Sequence, residues 1–124
     1  RTVCVMQLPV NLRGELKVRP ENFFDKLAGA VGFDDIDFES DEFSKKFHVK
    51  ARDKKFAYAV ITQEMMAFLL RHPTASVELD GGAMCIALGS GVSKPELWPS
   101  YLEIGKGVIS RLPEYLKDAA KDRP

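Results

Sequence analysis

The chain has no apolar run long enough to cross a membrane, no excess of either charge, and very little cysteine or histidine. Its longest apolar stretches, "FAYAVI" and "MMAFLL", fall far short of the ~20 residues that a helical span needs. Lys+Arg and Asp+Glu both total 18. No global field therefore gathers polyanions, and nucleic acid is not an expected partner. Two cysteines, Cys4 and Cys85, are too few for the disulfide framework of a small secreted domain. Each sits among apolar residues, which favours inert, buried thiols. His48, on a strand, and His72, beside Pro73, have no cysteine or carboxylate at a zinc-ligand spacing. The glycines of "DGG" and "LGSGV" match neither a phosphate loop nor a dinucleotide fingerprint. No metal and no cofactor are expected. A catalytic site assembled from distant residues stays open, because a Cys–His pair meets only in space.

What is present is the composition of a soluble globular domain, 45% hydrophobic and 29% charged over 124 residues. A single domain of this size buries roughly two-thirds of its unfolded surface. The chain opens on Arg1, not Met, and Thr2 to Leu8 already reads as a strand. The expectation is one domain, 1–124, cut from a longer parent, with residues 118–124 frayed.

The elements follow from hydrophobic period. "TVCVMQL" is rich in β-formers, and "ELKVRP" alternates Leu16 and Val18 with Glu15, Lys17 and Arg19. "PENFFDKLAGAVG" reads as a helix begun at Pro20 and ended by Gly32. Asp53 is an N-cap for "KKFAYAVI", and Thr62 a cap for "QEMMAFLLR". Whether these form one bent helix or two is open. "SVELDGGAMCIAL" reads as a hairpin turning on Gly81 and Gly82. The tail from Pro95 reads as a helix interrupted by Pro99, Gly105, Gly107 and Pro113. The order β-β-α-β-β-α-β-β-α implies an α+β fold, a mostly antiparallel sheet with helices packed on one face.

The densest charge lies in "DDIDFESDEFSKKFHVKARDKK", residues 34–55. Counted from Asp35 as a calcium loop, it has Ser40 where glycine is needed and Lys46 where a glutamate is needed. Its acids alternate with Ile36 and Phe38, so they stay solvated and make poor general acids. Its bases, Lys45, Lys46, Lys50, Arg52, Lys54 and Lys55, stand beside acids that repel a polyanion. Two neighbouring antiparallel strands explain the pattern better. Asp35, Asp37 and Glu39 then face His48, Lys50 and Arg52, while Ile36 and Phe38 meet Phe47, Val49 and Ala51. Phe43 tucks inward over the turn between them. Met65, Met66, Phe68, Leu69 and Leu70 read as core. The candidate contact residues are Trp98 and Tyr101 in the interrupted tail, with Lys45 and Lys46.

Glu39-Ser40, Phe43, Phe47, Val49, Asp53 and "FAYAVI" carry a family resemblance. Residues 16–71 resemble an uncharacterised family, a domain of unknown function in prokaryotic membrane-associated proteins, with an E-S-x-x-F-x-x-x-F-x-V segment. The resemblance implies hydrophobic spans upstream in the parent and supplies no catalytic residues. The expected function is therefore a non-catalytic protein-interaction or scaffolding domain at the cytosolic face of a membrane. Its rivals are a lipid- or peptide-binding module using the apolar helix surface and Trp98, and an enzyme with a scattered site.

Overall fold

The computed structural model describes residues 3–8, 11–12, 14–21, 32–88, 98–114 and 116. Six strands are present among them: β1 (Val3–Gln7), β2 (Glu15–Pro20), β3 (Asp34–Asp35), β4 (Phe47–Ala51), β5 (Ala75–Asp80) and β6 (Ala83–Leu88). They form one sheet in the order β1-β6-β5-β2-β4-β3, with every neighbouring pair antiparallel. The helices among them are α1 (Asp41–Lys46), α2 (Lys54–Val60), α3 (Gln63–Leu70) and α4 (Trp98–Arg111). The fold is α+β, as the alternation of patterns implies.

Register explains the two faces. Leu16, Val18, Val49, Val77, Leu79, Met84 and Ile86 align across the central strands and are buried in one core cluster. The helices add Phe43, Phe56, Val60, Met65, Phe68, Leu69, Tyr101, Ile104 and Val108 to that same cluster. The opposite face carries Glu15, Lys17, Arg19, His48, Lys50 and Glu78, each one residue out of phase with the core. Its ion pairs are Arg19–Glu78 at 2.8 Å, Arg52–Glu15 at 2.7 Å, Lys50–Asp35 at 3.2 Å and His48–Glu21 at 3.3 Å. Slipping one strand by a residue would exchange core for charge, so these patterns fix the register. Cys4 pairs with Ile86 and Cys85 with Val5. The two thiols thus point to opposite faces and form no disulfide, as expected, although both are only half-buried.

Three local points are decided by the structure, the first and third as corrections. The strand expected over 35–39 is only Asp34–Asp35 with one further bond from the Ile36 N–H to the Val49 carbonyl at 2.9 Å, and Asp37 and Glu39 do not run on against β4. Ser40 instead caps the short helix α1, its hydroxyl accepting from the Phe43 N–H at 3.2 Å. Among the described residues Lys50–Asp35 is the expected cross-strand charge pair that is seen, while Arg52 pairs with Glu15 and His48 with Glu21. Phe43 is nevertheless fully buried. Second, the choice left open between one bent helix and two resolves as two: Ile61 ends α2, and Thr62 starts α3 by accepting from the Met65 N–H at 3.1 Å. Third, Pro20 closes strand β2 opposite Phe47 and does not open a helix. The rest of that expected helix, 22–31, and the tail 118–124 lie outside the described residues. The 75–88 hairpin forms as read, with Asp80 paired to Ala83 and Gly81 at φ +58°. A positive φ at the first residue of a two-residue turn is what a type II′ hairpin demands.

Candidate functional site

A trough of about 750 Å³ opens between the α2–α3 pair and the chain leaving β3. Its size is within the roughly 300–1,000 Å³ range of ligand-bearing clefts. The break at Ile61-Thr62 creates one wall. Tyr58 on α2, Ile61 and Thr62 at the junction, and Gln63, Met66, Ala67 and Leu70 on α3 all face the same space. The other wall is Asp37, Phe38, Glu39 and Ser40.

An aromatic stack joins this wall to the core. Tyr58 meets Phe38 edge-on at 5.4 Å, Phe38 meets Phe43 edge-on at 5.5 Å, and Phe43 stacks on Phe47 at 5.2 Å. Tyr58 sits at the open end, 49% exposed, and its hydroxyl donates to the Asp37 carbonyl at 2.9 Å. Ser44 donates to the Phe38 carbonyl at 3.2 Å. Segment 37–40 is thereby held against the helices without strand pairing. The lining mixes apolar Phe38, Ile61, Met66, Ala67 and Leu70 with polar side chains, of which Asp37, Glu39 and Gln63 are exposed. The trough offers surface for an apolar ligand, and its lining includes no Cys, His or Lys.

A second, smaller hollow of about 220 Å³ lies between Glu15, Lys17, Phe33, Arg52, Glu78 and Asp80. Its bases already sit over the Phe33 ring, Lys17 at 5.1 Å and Arg52 at 4.6 Å, and Arg52 is bonded to Glu15. These contacts complete the charged face of the sheet.

None of the four contact residues read from the sequence lines either hollow. Trp98 opens α4 and is 61% exposed. Lys45 and Lys46 are exposed in the last turn of α1. Tyr101 is a correction: it is only 5% exposed, because Tyr101, Ile104, Gly105 and Val108 recur at helical spacing on the buried side of α4. The trough residues Tyr58, Met66 and Leu70 escaped the sequence reading. Their signal was a helix pair with more apolar residues than one stripe requires. In α3, Met65, Phe68 and Leu69 enter the core, whereas Met66 and Leu70 stay half-buried, four residues apart on a second stripe.

Among the described residues no group of three His, Cys, Asp or Glu side chains is placed to hold a metal ion, and no helix is long and apolar enough to cross a membrane. No family model matches the chain, and no curated protein matches it in sequence. In fold the chain is similar to the crystal structure of the mycobacterial trehalose monomycolate transport factor A, with TM-score 0.70 and 12% identity. The match covers 89% of this chain and 58% of that one. At that identity the likeness is one of fold.

Proposed function

We propose that this chain is a non-catalytic protein-interaction domain whose trough seats an apolar segment of a partner protein. One observation carries the reading: Tyr58 is exposed, Met66 and Leu70 pack against the core only in part, and all three line an open trough. Methionine and an aromatic ring are the side chains best suited to adapt to a partner's shape. The test is a photo-crosslinking residue at position 58 in the parent protein. A protein adduct that disappears when Ala67→Arg fills the trough supports the reading. Adducts confined to lipid, or none, would refute it.

A second reading has a specific support, the fold likeness to a trehalose monomycolate transport factor: the trough holds an acyl chain. Flotation of the domain with phosphatidylcholine vesicles at low and high salt tests it, and absence of co-flotation removes it. The proposal also places the domain in a membrane-associated parent, at the cytosolic face. Its support is the resemblance carried by Glu39-Ser40, Phe43, Phe47 and Val49. Fractionation of cells expressing the whole reading frame tests that placement; recovery of the parent in the soluble fraction would reject it.

A further inference from the structure

We infer that the segment seated in the trough is basic, with Lys or Arg flanking its apolar side chains. The inference rests on the interaction reading above and adds the charge of the partner. The trough lining contains two acids, Asp37 and Glu39, and no lysine or arginine. Both are exposed. Beyond Ser40 the acidic edge continues with Asp41 and Glu42 in the first turn of α1, and beyond Gln63 with Glu64 in the first turn of α3. Glu64 is 76% exposed and pairs with Arg111 Nε at 4.0 Å, so among the described residues the uncompensated acids at this edge are those of the trough lining and α1.

Of the bases, Lys54 and Lys55 stand in the first turn of α2, one turn before Tyr58, and Arg111 approaches Glu64 from α4, but none of the three lines the trough. Lys45 and Lys46 occupy the opposite end of α1, and Arg71 follows α3, its guanidinium over the Phe68 ring at 5.5 Å. Helices α1 and α3 also begin at the trough, and a helix N-terminus carries partial positive charge. Here Ser40 and Thr62 already cap those ends, and the acids add full charges beside them. An anionic headgroup or acidic peptide therefore meets repulsion from these acids, while a basic segment gains complementarity and a faster encounter. The apolar residues of the lining select for bulky side chains and the acids for the charge beside them.

Phage-displayed random peptides, selected on the wild-type domain and counter-selected on Ala67→Arg, test this. Ala67 is exposed, so the arginine fills the trough without entering the core; Gln63→Arg, also exposed, serves if the first variant fails to fold. The expected clones carry clustered apolar residues flanked by Lys or Arg, and lose affinity about tenfold on Asp37→Lys/Glu39→Lys at low salt. Trough-dependent clones with acidic or uncharged flanks would overturn the charge inference and leave the interaction reading standing. Clones that fail to distinguish wild type from Ala67→Arg would overturn both. Displacement of the selected peptides by phosphatidylcholine vesicles would assign the trough to lipid and overturn both as well.

Discussion

Two glycines two positions apart in β6's partner helix, α4, show how close packing outranks local propensity. A Cβ on Gly107 would collide with the Phe68 ring, and one on Gly105 with the Met6 thioether. Alanine at an interior helix position gains about 1 kcal/mol of propensity over glycine. Phe68 is buried, and Arg111 lies over its ring at 4.3 Å, so it has little room to retreat. Overpacking costs about 1–3 kcal/mol, and Gly107→Ala is expected to lower the urea midpoint. Gly105→Ala should cost less, because a methionine side chain can swing aside. Equal midpoints for the two variants would refute the distinction. A second residue-scale contrast concerns neighbours in sequence. Asp37 is exposed, and its described hydrogen bond is made by its carbonyl, so Asp37→Lys should change stability by less than about 0.5 kcal/mol. Phe38 lies between the Phe43 and Tyr58 rings; Phe38→Asp puts a charge there and should cost about 2–4 kcal/mol. Thermal unfolding of both variants checks the difference, and comparable small losses would contradict it.

At the scale of the element, much of the chain was legible because its caps and periods agree. Asp53 and Thr62 cap α2 and α3 as their types suggest, and Gly81 turns the β5–β6 hairpin. Helix α1 was not legible. Its signals are present, with Ser40 as cap, Asp41 and Glu42 in the first turn and Lys45 and Lys46 in the last. They were masked by the alternation of Ile36 and Phe38 with acids, which reads as a longer strand. Helix and strand patterns overlap at Phe38–Phe43, and tertiary packing of Phe43 decides between them. The trough was illegible for a related reason. Its two walls lie more than a helix apart in the chain, and no local pattern says which surplus apolar residues face a void. The caps make this scale testable. Thr62→Ala removes the bond to the Met65 N–H and should cost about 1 kcal/mol. Because Thr62 also fixes the bend that shapes the trough, its loss should broaden the amide resonances of Met66 and Leu70. A sharp, unchanged spectrum would show that the bend is held by packing alone.

Over the whole molecule, strand order is where sequence reasoning stops. β1 is readable as a strand, but its partner is β6, with Val3 opposite Ala87; nothing in either segment names the other. Likewise β2 is central, between β5 and β4, although its own alternation looks like that of an edge. The topology places few local pairings in the sheet besides the β5–β6 hairpin, so most strands await long-range closure. It also grades their protection. β2 and β5 are paired on both sides, and their core residues Leu16, Val18, Val77 and Leu79 are almost wholly buried. At one end β3 contributes only two exposed residues. At the other β1 has a single described partner and carries Val5 at 68% exposure. Opening from the ends exposes little apolar surface, whereas opening β2 from β5 divides the core. Native-state hydrogen exchange should therefore find the bonded amides of β2 and β5 exchanging at the rate set by global unfolding, and those of β1 and β3 at least about tenfold faster. If β1 amides exchange as slowly as those of β2, the end of the sheet is braced as firmly as its centre, and this grading is wrong.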